Sequence, residues 1–202
     1  QNVERVLGVV LHNGYGLTET SPTISRTLYA VGSNEVNIGT PIPGVEIKIV
    51  GSDGCEIMDG SPGELHVRGP NVMLGYFRQP ELTEAVIDKD GYLNTGDIVS
   101  VNSKQEMVVQ GRTKELIIRS GFNVYPPEIE AALNTHPAVL NSAVVGRSIE
   151  GNEEIVAFVE PVPGCHIEID TLFALLDEQL ARYKKPQKII VMSQLPVAPN
   201  GK

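Results

Sequence analysis

Residues 111–130 constrain the fold of this chain more than any other segment, and they read GRTKELIIRSGFNVYPPEIE. A polar segment leads into a short apolar run, which is followed by a glycine and then by a stretch with helical features. Pro126 or Pro127 suits the first turn of a helix, where a missing N–H costs little. Glu128 and Glu130 suit the positive end of the same helix. The segment predicts a joint between a β-rich region before it and a smaller α+β region after it.

The composition is typical of a soluble globular protein and argues against two classes of partner. Apolar residues make up 41% of the 202 residues and charged residues 20%, an ordinary balance. The formal net charge is −9 and no basic block stands out, so nucleic acid is not expected as a partner. No apolar run is long enough to span a membrane, and no signal peptide is visible. Cys55 and Cys165 match no metal or redox spacing, which predicts a reducing compartment and a cytoplasmic protein.

Residues 13–20 form a glycine-rich loop with the sequence NGYGLTET. They follow an apolar run over residues 3–11, which predicts a buried strand entering a loop. Glycines in such a turn let the backbone approach a ligand closely. Read without its neighbours, the segment is only a polar turn.

Short alternating segments predict a β-rich first region. Residues 45–50 and 63–69 alternate apolar and polar side chains, as half-buried strands do. Residues 98–101 and 107–110 flank a polar turn and predict a hairpin. The sequence Thr95-Gly96-Asp97 precedes this hairpin, and on residue type alone Asp97 would be a loop carboxylate that caps nearby backbone N–H groups.

The region after residue 126 predicts alternating helices and strands. We expect a helix over residues 127–135, strands over 140–145 and 155–160, and a last strand over 188–192. A second helix is predicted to be capped by Asp170 and to run to about Arg182.

Four motifs resemble, in order and spacing, those of the adenylate-forming (ANL) superfamily, which contains acyl-CoA synthetases, peptide-synthetase adenylation domains and luciferases. They are the loop at residues 13–19, Thr95-Gly96-Asp97, the segment 111–130 and the terminal Gly201-Lys202. The sequence GFNVYP at residues 121–126 is similar to bacterial AMP-forming acyl-CoA ligases.

The resemblance implies an α+β fold with two domains. Residues 1–112 would be the C-terminal part of the large adenylating domain, including a distorted β-barrel subdomain. Residues 113–202 would be the small mobile C-terminal domain, truncated and joined by a hinge near Lys114. The Ser/Thr/Gly-rich phosphate loop of the family is not in this sequence, so we expect a fragment that is inactive alone.

The resemblance also implies roles for the residues of the glycine-rich loop. Tyr15, between Gly14 and Gly16, would stack on the adenine of ATP or AMP, and Asn13 would bond the edge of the base. Thr18 would contact the α-phosphate. Glu19 would hold Mg²⁺, which as a hard cation prefers carboxylate oxygen.

The other implied site residues come from later motifs. Asp97 would bond both ribose hydroxyls, and Arg112 would grip the ribose from the other side of the hinge. The loop with Gly121 and Phe122 would line the channel for coenzyme A. Lys202 would be the catalytic lysine. Thr18 and Glu19 would be the other two catalytic residues.

The implied activity is that of an AMP-forming acyl-CoA ligase acting on a fatty or aryl acid, with two half-reactions served by domain alternation. Lys114 at the hinge and Ile118, where relatives commonly have Lys, favour this activity over amino-acid activation. Val197 and Ala198 depart from the usual Arg and Thr of the last motif and leave the placement of Lys202 open. An adenylation domain that loads a carrier-protein thiol and a catalytically inactive nucleotide-binding fragment stay open as alternatives, as does a homodimer.

Overall fold

The computed structural model describes residues 6, 8, 12–28 and 37–197, and the chain divides into two compact units, Gln1–Thr113 and Lys114–Lys202. The strand predicted over residues 3–11 therefore lies almost entirely outside the described residues, and Lys202 lies outside them too. The hinge near Lys114 stays a prediction.

Short strands dominate the described part of the first unit. Its elements are β1 (Gly14–Tyr15), β2 (Ser25–Arg26), β3 (Thr40–Pro41), β4 (Glu46–Val50), β5 (Gly63–Arg68), α1 (Pro80–Glu84), β6 (Leu93–Val101) and β7 (Met107–Arg112). They form a three-stranded sheet of order β1-β2-β3 and a four-stranded sheet of order β4-β5-β6-β7. All of these pairs are antiparallel, and the strands predicted from alternation are confirmed as β4 and β5.

The four-stranded sheet is open, so the expected distorted barrel does not close in the described part of the chain. Its edge strands, β4 and β7, do not pair with each other. Instead Met107 in β7 bridges to Gly39, and Val50 in β4 bridges to Glu56. These nearby segments take edge hydrogen bonds that would otherwise be open to a further strand.

The predicted hairpin of residues 98–101 and 107–110 is confirmed, but its first strand is longer than expected. β6 begins at Leu93, which pairs with Val67 and is buried with it in the core of the unit. A register shift between Ile98 and Val99 lets the strand continue. Asp97 therefore lies within a strand and not in a loop.

The second unit combines a mixed sheet with two helices. Its elements are β8 (Ile117–Arg119), β9 (Phe122–Val124), α2 (Pro126–Leu133), β10 (Val139–Ile149), β11 (Asn152–Pro161), α3 (Ile169–Gln179) and β12 (Lys188–Val191). β10 and β11 form a long antiparallel hairpin, and β12 adds parallel to β11. β8 and β9 form a separate short hairpin. Together these elements give the mixed sheets and helices expected of an α+β chain.

Helix α3 differs from the prediction at both ends. Glu168 holds the N-cap position and Asp170 lies in the first turn, so the predicted Asp170 cap is wrong. The helix ends at Gln179 because Leu180 turns to extended backbone and is itself buried. Its buried face includes Leu172 and Leu176, which are fully enclosed. In the described residues, no helix is both long and apolar enough to cross a membrane.

Candidate functional site

The segment Leu17–Thr20 presents two of the predicted site residues, Thr18 and Glu19, on a tight 3-10 turn. The buried hydroxyl of Thr20 accepts a hydrogen bond from the backbone N–H of Leu17 at 3.0 Å and donates one to the Leu17 carbonyl at 3.0 Å. This double contact fixes a turn over Thr18–Thr20. It leaves Thr18 exposed and Glu19 half-buried.

The two glycines of the loop have different reasons to be there. A Cβ at Gly16 would lie 1.6 Å from the carbonyl oxygen of Pro22, so only glycine fits. A Cβ at Gly14 would meet only the carbonyl oxygen of Ser25, at 3.8 Å. Packing within the chain therefore explains Gly16, and ligand contact at either glycine stays a prediction.

A buried carboxylate joins the loop to the four-stranded sheet. The hydroxyl of Tyr15 donates a hydrogen bond of 2.5 Å to Oδ2 of Asp97. Nε of Arg112 lies 3.3 Å from Oδ1 of the same carboxylate, and Arg112 stands opposite Asp97 in the β6–β7 pair. Asp97 is only 4% exposed, so these two partners offset the cost of burying its charge. We call Tyr15, Asp97 and Arg112 the Asp97 cluster.

Thr95-Gly96-Asp97 is shaped by its own hydrogen bonds. The Thr95 hydroxyl donates to the carbonyl of Leu65 at 2.8 Å and accepts from the N–H of Asp97 at 3.1 Å. Gly96 has a φ of +71° and donates its N–H to Oδ1 of Asn94 at 2.8 Å. A glycine takes this left-handed conformation without strain, so the strand can present Asp97 toward Tyr15.

Burial raises the pKa of Tyr15 above its ordinary value, and the hydrogen bond to Asp97 and that residue's negative charge raise the pKa further. The phenol is therefore a proton donor throughout the neutral range. A tyrosine ring beside a carboxylate and a guanidinium can recognise an adenosine: the ring suits the base, and the carboxylate can accept hydrogen bonds from paired hydroxyls.

Glu19 has a partner that the sequence analysis missed. The hydroxyl of Tyr76 donates a hydrogen bond of 3.0 Å to Oε1 of Glu19, and no described residue donates to Oε2. Among the residues that the structure describes, no group of three or more acidic, histidine or cysteine side chains could hold a metal ion. A cation on Glu19 would need further oxygen ligands, as Mg²⁺ obtains from substrate phosphates.

Asn13 anchors the other side of the loop. Its backbone N–H donates to the hydroxyl of Thr27 at 2.9 Å, and its side-chain amide donates to the carbonyl of Asn37 at 3.2 Å. The loop is thus tied to its neighbours, and the contact of Asn13 with a base stays a prediction.

Gly121 and Phe122 belong to the second unit, in the β8–β9 hairpin. Ser120 and Gly121 form its turn, with φ of +50° and +82°, which is the backbone of a type I′ turn. A Cβ at Gly121 would meet nothing within 4 Å, so its glycine is explained by backbone conformation. The ring of Phe122 is half exposed and stacks on Tyr183, with centroids 4.7 Å apart. The role of this hairpin in a channel stays a prediction.

Two residues that support the site were not singled out from the sequence. Tyr76 contacts Glu19, and Asn71 donates to the carbonyls of Thr20 and Thr23 at 3.1 and 2.8 Å. Both lie in the loop between β5 and α1, far along the chain from the turn that they contact.

Comparison with known families gives two matches in order along the chain. The family model for AMP-binding enzymes matches residues 1–77. The family model for the C-terminal domain of AMP-binding enzymes matches residues 128–202. The first match lies within the first unit of the structure and the second within the second unit.

Curated relatives and solved structures agree with these matches. A long-chain-fatty-acid–CoA ligase of Escherichia coli O157:H7 is 38% identical over 198 residues, covering 98% of this chain and 35% of the relative. A 4-coumarate–CoA ligase 1 of Oryza sativa subsp. japonica is 38% identical over 202 residues, covering 96% of this chain and 36% of the relative. The o-succinylbenzoate coenzyme A synthetase (MenE) from Bacillus subtilis in complex with AMP has a TM-score of 0.87 and 32% identity, over 100% of this chain and 41% of that chain. The chain spans about a third of the length of these curated relatives.

Proposed function

Because the chain belongs to the family of AMP-binding enzymes, we propose that it forms the C-terminal part of an AMP-forming acyl-CoA ligase. The full-length protein would activate a carboxylic acid with ATP, giving acyl-AMP and pyrophosphate. The thiol of coenzyme A would then displace AMP. The CoA ligases among the relatives support this proposal over carrier-protein loading.

The observation that carries the proposal is the Asp97 cluster. Each carboxylate oxygen of Asp97 has a second lone pair besides the one used by Tyr15 or Arg112, so the carboxylate can accept hydrogen bonds from two ribose hydroxyls. Tyr15 is bonded to the same carboxylate and would stack on the adenine. One buried group would therefore set the positions of base and sugar together.

Glu19 fits the role of a magnesium ligand. Tyr76 engages one oxygen of the carboxylate, and the other has no partner among the described residues. A bound Mg²⁺ would neutralise charge on the phosphates of ATP. Thr18, exposed on the same turn, would donate its hydroxyl to the α-phosphate.

The second half of the proposal rests on motif order and concerns the small domain. The ammonium of Lys202 would stabilise charge that develops on the α-phosphate as the carboxylate attacks. Rotation about Lys114 would then bring the Gly121 hairpin to the site for thioester formation.

The relatives act on both fatty and aryl acids by name, so we propose a substrate in that range. A cytoplasmic location and a homodimer stay predictions.

Nucleotide binding to the full-length protein tests the role of the Asp97 cluster. Asp97→Ala should weaken ATP and AMP alike, because both contain the ribose. Isothermal calorimetry with each nucleotide measures this, and an unchanged AMP affinity in a folded variant would remove Asp97 from the site.

A further inference from the structure

The loop of residues 71–76 contacts the turn Thr18–Thr20 at several points. The amide of Asn71 donates to the Thr20 carbonyl at 3.1 Å, and the N–H of Met73 donates to the Glu19 carbonyl at 2.8 Å. The Tyr76 hydroxyl reaches the Glu19 side chain at 3.0 Å. The loop therefore fixes both the backbone and the side chain of Glu19.

Tyr76 is positioned by contacts with helix α1. The hydroxyl of Thr83 accepts a hydrogen bond from the N–H of Tyr76 at 2.9 Å and donates to the carbonyl of Gln79 at 3.0 Å. Gly75 has a φ of +144°, and a Cβ there would lie 2.8 Å from the Thr83 side chain. Glycine at 75 thus permits the close approach that aims the Tyr76 ring.

Tyr76 is half-buried where it contacts Glu19. The phenol donates a proton to Oε1 and leaves Oε2 without a described donor. A carboxylate held at one oxygen loses rotational freedom and offers the other oxygen in one orientation. Carboxylates that bind metals are commonly oriented in this way by an outer hydrogen bond.

We infer that Tyr76 is a positioning residue, which orients the Glu19 carboxylate for a divalent cation bound with the phosphates of ATP. This inference rests on the proposed function, since it takes Glu19 as the magnesium ligand. Tyr76 touches neither substrate nor metal and acts through Glu19. Thr83 and Gly75 support it from the neighbouring helix.

The test measures ATP affinity of the full-length protein by calorimetry, once with Mg²⁺ and once with EDTA. The ratio of the dissociation constant in EDTA to the dissociation constant with Mg²⁺ reports the contribution of the metal. Tyr76→Phe removes one hydroxyl and should reduce this ratio roughly tenfold, in the range found for outer hydrogen bonds to metal ligands. The affinity in EDTA should stay unchanged, which also shows that the variant is folded.

Tyr92→Phe is the matched control, because it removes another tyrosine hydroxyl that donates to a carboxylate, that of Glu46 at 3.2 Å. It should leave the ratio unchanged. Glu19→Gln should reduce the ratio, and adding Tyr76→Phe to it should cause no further loss. If Tyr76→Phe does not fold, Thr83→Val gives the same test, with a reduced ratio expected.

A wild-type ratio in folded Tyr76→Phe, or an equal further loss in the Glu19→Gln background, would overturn the inference. Neither measurement needs an acid or coenzyme A. The absence of ligase activity would therefore contradict the proposed function. The ratio of dissociation constants would still test the role of Tyr76. An unchanged ratio in an active ligase would contradict the inference about Tyr76 alone.

Discussion

Tyr15 and Asp97 are 82 positions apart in the chain, and the Tyr15 hydroxyl donates a 2.5 Å hydrogen bond to the Asp97 carboxylate. The contact joins the glycine-rich loop to the middle of the four-stranded sheet. It also makes a residue predicted to bind the base a direct partner of a residue predicted to bind the sugar. A substitution at one of these two residues should therefore affect the other.

Tyr15→Phe should destabilise the first unit. It removes a hydrogen-bond donor from a carboxylate that is 4% exposed, and hydrogen bonds to charged groups contribute about 1.5–3 kcal/mol. Urea unfolding of the 202-residue chain measures the loss. Tyr125→Phe is a suitable control, since no described residue bonds the Tyr125 hydroxyl. Equal stabilities of the two variants would argue against the Tyr15–Asp97 contact in solution.

Glu130 should give the second unit a pH-dependent stability. Burial raises the pKa of this carboxyl group, although the N–H of Val144, which donates to it at 2.8 Å, partly opposes the shift, and the charge of Glu115 adds to it. The folded state then binds the proton more tightly than the unfolded state does. The contribution of Glu130 to stability is therefore full below the unfolded pKa of about 4.3 and falls as pH rises through the folded value.

Glu130→Gln keeps an oxygen that can accept from Val144 and removes the titration. The free energy of unfolding of the variant, relative to the wild type, should rise between pH 4 and the neutral range. Denaturant unfolding at a series of pH values measures it. A difference that falls with pH would have the wrong sign and would show that ionised Glu130 is stabilised in the fold.

Gly121 allows its turn role and its predicted channel role to be separated. Its φ of +82° disfavours most side chains, but a Cβ would meet open space. Gly121→Leu should cost about 1–2 kcal/mol through backbone strain, whereas Gly121→Asn should cost less because Asn enters the left-handed region more readily. Thermal unfolding compares the two.

Gly121→Asn in the full-length protein tests the predicted role of the hairpin in the coenzyme A channel. If the hairpin lines the path of coenzyme A, Gly121→Asn should retain acyl-AMP formation and lose thioester formation in a folded protein. Retained thioester formation would leave Gly121 as a turn residue only.

Lys202→Ala in the full-length protein should separate the two half-reactions. We expect acyl-AMP formation to fall by more than ~10²-fold, the usual effect of removing one preorganised charge. Thioester formation from supplied acyl-AMP should be spared, because the lysine would be near the substrate in only one closed state. Equal losses in both half-reactions would contradict domain alternation.

Local patterns in the sequence predicted the parts of the fold that local interactions decide. The alternation around Ile49 and Leu65 identified β4 and β5, because a two-residue period reports a half-buried strand directly. Asp170 was chosen as a cap on residue type, but Glu168 precedes the first helical residue and takes that position. Asp97 was considered as a loop carboxylate, but the positive φ of Gly96 and a nearby register shift let β6 continue through it.

The site was predictable only through the resemblance of its motifs. No periodicity links Tyr15 to Asp97 or Glu19 to Tyr76, since these contacts depend on how the strands and loops of the first unit pack. The motifs assigned Tyr15 and Asp97 to one nucleotide, and the structure adds that they contact each other. Tyr76 had no assigned role, because its effect on Glu19 becomes visible only when the loop of residues 71–76 is seen against the turn Thr18–Thr20.

The release of AMP by the full-length protein, measured with ATP, Mg²⁺, coenzyme A and a panel of fatty and aryl acids, tests the proposed ligase function. We expect at least one acid to give AMP and its acyl-CoA in equal amounts, and omission of coenzyme A to leave only pyrophosphate exchange. A folded full-length protein that binds AMP but releases none above the blank with any acid would contradict the ligase function.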